Sequence, residues 1–187
     1  MTKHKSPYST LTLDVKTRDH VLGSPDAPVT LMEYADYQCP YCGMAYPIVK
    51  QLRHRLGENL CLVFRNFPLT EIHPFAEGAA EAAEAAGAQG KFWEMHDTLY
   101  ENQEALAIEN LIAYAKQLQL DVPRFVSELE GRAYAGRVRE DFLSGVRSGV
   151  NGTPTFFING VRHDGGYDFN TLFAAIQTRL KGIGTSA

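Results

Sequence analysis

An apolar run, Val29-Thr30-Leu31-Met32-Glu33-Tyr34, is followed after four residues by Cys39-Pro40-Tyr41-Cys42, and Ile48, Val49, Leu52 and Leu56 then recur at helical spacing. That order constrains this chain more than any other feature. A strand, then a Cys-x-x-Cys, then a helix puts the first cysteine at a helix N-terminus, where unpaired N–H groups and the positive end of the dipole stabilise a thiolate. Two thiols at this spacing can close a small, reversible disulfide. The competing use of such a pair is half of a zinc site, which needs four ligands. No second Cys-x-x-Cys is present, and His4, His20, His54, His73, His96 and His163 are scattered. The expectation is redox chemistry carried by the dithiol itself, with no metal and no bound organic cofactor.

A length of 187 residues fits one domain, with room for an inserted subdomain and a sizeable core. Net charge is −4 and no basic block stands out, which argues against nucleic acid as a partner. No apolar run approaches the roughly 18 residues that span a bilayer, so membrane insertion is not expected. Met1 to Lys16 has lysines but no apolar core of roughly 7–15 residues, as a signal peptide would have. A cytoplasmic location is therefore expected for the sequence as it stands, and a periplasmic or extracytoplasmic one if an export signal precedes it. Nothing in the sequence sets an oligomeric state.

Residues 1–28 read as a polar lead-in, most polar over 1–16 and ending at the turn-rich Gly23-Ser24-Pro25-Asp26-Ala27-Pro28. Val29–Tyr34 and Leu60–Phe64 read as buried strands joined by a helix that Pro47 interrupts, an order compatible with a parallel crossover. Between about 71 and 148 the texture becomes helical: an alanine-rich stretch at 79–86, Phe92 to His96, the spacing of Leu111, Ile112, Ala115 and Leu118, and a start at Asp121-Val122-Pro123. Strand character returns at Thr155–Ile158, and Asn159-Gly160 signals a two-residue hairpin into Val161–His163. Phe169, Leu172, Phe173, Ile176 and Leu180 then share one face of a closing helix capped by Asp168.

Further residues carry chemical weight. Glu33 is an acid inside an apolar strand, expensive to bury unless paired or protonated; alternatively it faces solvent. Asp36 reads as a loop or surface charge. Cys61 sits mid-strand between leucines, as a buried structural cysteine would. Phe92 and Trp93 read as core, and His73 and His96 as packing or capping residues as readily as catalytic ones.

Taken together, these motifs resemble the DsbA-like branch of the thioredoxin superfamily. The resemblance rests on Cys39-Pro40-Tyr41-Cys42, on Pro47, on the stretch from His73-Pro74 to Gln89-Gly90-Lys91-Phe92-Trp93-Glu94-Met95-His96-Asp97, and on Gly152-Thr153-Pro154-Thr155-Phe156-Phe157-Ile158-Asn159-Gly160. It implies an α/β fold, thioredoxin-like over 17–70 and 149–182 and interrupted by an all-helical insertion over 71–148. The implied activity is thiol–disulfide exchange. Cys39 would be the nucleophile, Cys42 the resolving thiol and Glu33 the buried acid trading a proton with Cys42. Pro154 would be a cis-proline, presenting the Thr153 backbone to an extended substrate, with Pro40 and Tyr41 beside it. Tyr41 stands where many DsbA oxidases carry histidine, and Pro-Tyr is the glutaredoxin dipeptide. Expected partners are therefore protein or peptide thiols and disulfides, glutathione, and a redox partner that recycles the pair. The other readings are a binding module or chaperone on the same fold and a glutathione-coupled reductase.

Overall fold

The computed structural model describes residues 10–12 and 14–184; the lead-in expected over 1–16 lies mostly outside them. Five strands form one mixed sheet in the order β1-β3-β2-β4-β5, comprising β1 (His20–Leu22), β2 (Val29–Ala35), β3 (Leu60–Asn66), β4 (Thr155–Ile158) and β5 (Val161–Arg162). β2 and β3 are parallel, with Glu33 opposite Phe64, and every other pairing is antiparallel. The parallel pair requires a crossover, supplied by α1 (Pro40–Leu56).

Both sheet faces are covered, and this is why β2 reads as a nearly continuous apolar run. Leu31, Leu62 and Ile158 pack on one face against Ala45, Val49 and Leu52 of α1 and Leu172 and Ile176 of α7 (Phe169–Gly184). Met32, Tyr34, Val63 and Phe157 face the other way, with Phe67 and Phe142. Strand period two therefore places Glu33 with Leu31 and Ala35 on the α1 face. Between β3 and β4 lie five helices: α2 (Ala76–Gly87), α3 (Phe92–Glu101), α4 (Ile108–Gln117), α5 (Val122–Glu130) and α6 (Ala135–Arg147). Their core, around the alanines of α2 with Met95, Leu99, Leu111 and Phe125, is continuous with Cys39, Cys42 and Phe64.

Local expectations and outcomes match closely at the termini of elements. The Asp121 side chain accepts from Arg124 N–H at 3.0 Å and caps α5. Asp168 accepts from Thr171 N–H at 3.1 Å and does the same for α7. Asn159 and Gly160 both have positive φ, 48° and 79°, as a type I′ turn demands. Pro47 is the exception: the interruption expected there does not occur, and α1 is continuous through it.

The polar lead-in needs correction. His20–Leu22 pairs antiparallel with Leu62–Phe64 and forms an edge strand. Three residues carry too little pattern to signal a strand; the unpaired edge of β3 creates it. The segment before β1 is pinned to the back of the sheet by Arg65, whose guanidinium grips both oxygens of Asp19 at 2.9 and 2.8 Å and donates to Tyr34 Oη at 2.9 Å. Both partners of that ion pair have fully buried side chains.

Candidate active site

Cys39 is the N-cap of α1 and Pro40 opens the helix, a position where a missing N–H costs nothing. The N–H groups of Tyr41 and Cys42 point back toward the Cys39 sulfur and, with the Cys42 thiol, stabilise its charge. Across the site lies Thr153, whose carbonyl accepts from the Cys39 thiol at 3.5 Å, and the Thr153–Pro154 peptide bond is cis. The Thr153 hydroxyl is buried and adds to the stabilisation of the thiolate.

These contacts split the two thiols. Above all the hydrogen bond from Cys42, against an opposing effect of burial, brings the Cys39 pKa down from 9.0 to about 5. Cys42 goes the other way: burial first, then its donation to Cys39 and the charge of Glu33, push its thiol well up. Its sulfur accepts from Asp36 N–H at 3.5 Å. A ready nucleophile thus stands beside a protonated thiol, the arrangement that exchange through a mixed disulfide requires. Both cysteines are free and buried, flanked by exposed Tyr41 and Met44.

Glu33 does not face solvent. It is 4% exposed, its carboxyl meets no hydrogen-bond donor among the described residues, and burial alone lifts its pKa to about 8. Asp36 corrects the expectation of a surface charge: it is 1% exposed. Its carboxylate accepts from Gln38 N–H at 2.7 Å, Leu69 N–H at 2.8 Å and His73 Nδ1 at 2.7 Å, fastening the cysteine loop to the 67–75 segment. His73 is therefore a tether. His96 is buried among aromatic rings, its Nδ1 3.2 Å from the Tyr37 hydroxyl, and burial lowers its pKa to about 3, so it stays neutral. Cys61 is buried in the sheet, as expected. No group of three or more His, Cys, Asp or Glu side chains among the described residues is placed to hold a metal ion.

Sequence reasoning passes over Gln103. This side chain follows α3 and reaches under the cysteine loop, its Nε2 donating to the carbonyls of Tyr37 at 2.8 Å and Cys39 at 2.9 Å. It fits only because residue 43 is glycine: a Cβ there would stand 1.9 Å from Gln103 Oε1. The available signal is Cys42-Gly43, a glycine in the first turn of a helix, where propensity alone disfavours it.

The sequence pattern described as Thioredoxin matches residues 16–178, and the chain belongs to that family. Among solved structures it is similar to BdbD from Bacillus subtilis, with a TM-score of 0.79 at 25% identity, covering 86% of this chain and 92% of that one. It is likewise similar to a thioredoxin-like oxidoreductase from Silicibacter pomeroyi DSS-3, with a TM-score of 0.74 at 26% identity over 92% and 95% of the two chains. It shares its fold with α-DsbA1 from Wolbachia pipientis, with a TM-score of 0.78 at 22% identity over 95% and 98%. Among curated proteins, Na(+)/H(+) antiporter NhaA 1 of Salinispora arenicola is 50% identical over 165 residues, 88% of this chain. The chain spans 25% of that relative's length.

Proposed function

We propose that this chain is a thiol–disulfide oxidoreductase of the DsbA-like kind, acting on protein thiols and disulfides. The observation that carries the reading is the opposed ionisation of two neighbouring thiols, Cys39 at about 5 and Cys42 pushed up, facing the Thr153 carbonyl. Cys39 thiolate attacks a substrate disulfide and holds one half as a mixed disulfide. Cys42 then loses its proton to Glu33 and displaces the substrate sulfur from Cys39, closing the Cys39–Cys42 disulfide. Pro154 turns the Thr153 backbone toward the substrate, which aligns as a short added strand between it and the exposed Tyr41.

Thiolate stability bears on the redox potential. A thiol near 5 falls between the values of about 7 for thioredoxin and about 3.5 for DsbA. The potential should accordingly fall between about −270 and −120 mV. Equilibration of the Cys39–Cys42 pair in glutathione buffers tests this. Glutathione itself serves as small-thiol substrate in this reading, and a separate dithiol partner recycles the pair. Cys42→Ser should accumulate mixed disulfides. Holdase activity that survives loss of both cysteines, with no redox titration in the native protein, would replace the enzyme by a binding module. No described helix is long and apolar enough to cross a membrane. The place of action in this reading is cytoplasmic for the sequence as it stands, and periplasmic or extracytoplasmic if an export signal precedes it.

The 50% identity to a quarter of a protein named a Na(+)/H(+) antiporter favours a second, narrower reading. In it, the thiols served include those of a membrane transporter. Trapping of an antiporter cysteine by the Cys42→Ser protein is the test.

A further inference from the structure

The chain enters β4 through a loop that ends at the cis peptide beside Cys39, and Asn151-Gly152 lies in that loop. The sequence holds one other Asn-Gly pair, Asn159-Gly160 in the hairpin turn. An asparagine followed by glycine is chemically vulnerable, because no Cβ on the second residue keeps its backbone nitrogen away from the asparagine Cγ. The two pairs are held in opposite ways.

At Asn151 the reacting groups are free and the amide is activated. Neither its Nδ2 nor the Gly152 N–H bonds any described residue. Backbone N–H groups are as a rule paired, so an unpaired one beside an amide is an available nucleophile. Asn151 is exposed, and a Cβ on Gly152 would meet nothing within 4 Å, which leaves this peptide room to turn. The Arg162 guanidinium, reaching over from β5, donates to Asn151 Oδ1 at 3.0 Å and to the Gly149 carbonyl. It therefore stands where negative charge would develop if the amide were attacked. At Asn159 the amide is tied at both ends instead. Its Oδ1 accepts from Thr30 N–H at 2.7 Å and its Nδ2 donates to the Pro28 carbonyl at 3.3 Å. The backbone is pinned too, by Asn159 N–H on the Thr30 carbonyl and Leu11 N–H on the Gly160 carbonyl, both at 2.9 Å. That amide cannot swing onto the next nitrogen.

We propose that Asn151 is a self-modifying site, converting in the folded protein to aspartate and isoaspartate, and that the isoaspartate form retunes Cys39. Hydroxide takes the Gly152 N–H proton, and the nitrogen bonds to Asn151 Cγ. The bond from Cγ to Nδ2 breaks, and the amide nitrogen takes a proton from water and leaves as ammonia. Water then opens the succinimide, at the side-chain carbonyl to give aspartate or at the main-chain carbonyl to give isoaspartate. No electrons are transferred, and water is the sole co-reactant. Isoaspartate adds one carbon to the main chain just ahead of Gly152. The Gly152 carbonyl accepts from the Thr155 hydroxyl at 2.7 Å, and Thr153 presents both its carbonyl and its hydroxyl to Cys39. A longer chain carries Thr153 out of that register, so the Cys39 thiolate loses the hydroxyl. Aspartate keeps the backbone length and sets a carboxylate against Arg162, which leaves the loop in place.

The test is peptide mapping of the full native chain incubated at pH 8, with isoaspartate read by an isoaspartyl methyltransferase and a labelled methyl donor. Asn159 is the internal control. In the folded chain Asn151 should convert about tenfold faster than Asn159, well below the roughly 100- to 1,000-fold worth of an enzymatic oxyanion donor. In urea the two rates should converge. Arg162→Met should slow Asn151 in the folded chain severalfold. The isolated isoaspartate form should alkylate at Cys39 with its midpoint raised by about one unit, as loss of a hydrogen bond to a charged group requires, while Asn151→Asp titrates with the native protein. Equal conversion at the two positions, or none at either, overturns the modification site. An unchanged or faster rate in Arg162→Met overturns the role of the guanidinium. An isoaspartate form that titrates with the native protein overturns the link to Cys39.

Discussion

The strongest lever on Cys39 is the thiol three residues on, and removing it gives a quantitative test. In Cys42→Ala the Cys39 thiolate loses its foremost stabilising hydrogen bond but keeps the Tyr41 N–H and the Thr153 hydroxyl. A hydrogen bond to a charged group is worth about 1.5–3 kcal/mol. At 1.36 kcal/mol per unit, the Cys39 pKa should climb from about 5 by roughly one to two units. Cys42→Ser retains a hydroxyl donor at the same place and should stay close to the native value. The assay is the pH dependence of iodoacetamide alkylation, or of thiolate absorbance at 240 nm, scanned from pH 4 to 9. The full displacement from 9.0 to about 5 makes the thiolate about 99% populated at pH 7 rather than about 1%. That stabilises the reduced state by at most about 2.7 kcal/mol, less where water screens the sulfur, which corresponds to about 60 mV toward a more oxidising potential. An alanine variant that titrates with the native protein, or a serine variant that shifts as far as alanine, would refute this account and assign the stabilisation to the helix terminus.

Other perturbations have equally definite outcomes. Glu33 titrates near 8 when folded and near 4.5 when unfolded, so the native state holds an extra proton between those values. Stability is then intact below about pH 4.5 and declines up to pH 8, by a few kcal/mol, and Glu33→Gln should lose most of that decline in melting curves from pH 5 to 9. Gln103→Ala should cost about 1–3 kcal/mol by denaturant titration and raise the Cys39 pKa, because the Tyr37 and Cys39 carbonyls lose their shared donor. Gly43→Ala evicts the same side chain, so the double variant should be scarcely worse than either single one; full additivity would show that the two do not act together. Asp19→Ala removes the carboxylate that balances the buried Arg65 guanidinium and should lower stability by about 3–5 kcal/mol, whereas a change under about 1 kcal/mol would mean that the pair is not buried in solution.

Chemistry acting over a few residues is legible in this chain without its structure. Short apolar runs and helical spacing, with Asp121, Asp168 and Asn159-Gly160 as punctuation, set β2, β3, β4, the start of α5 and α7 near their observed bounds, because caps and turns are decided locally. Cys39 at the start of a helix is legible for the same reason. Edge strand β1 was not, since three residues acquire strand geometry only by pairing with β3. Nor were Asp36 and Gln103 legible as members of the site. Asp36 became a buried hub only when the 67–75 segment folded over it, and Gln103 reaches the cysteine loop across 64 residues of chain. Whether Glu33 faced water or the interior was likewise open until α1 and α3 closed over its face of the sheet. Burial and long-range hydrogen bonds depend on which distant segments meet, and it is they that separate the ionisation of Cys39 from that of Cys42.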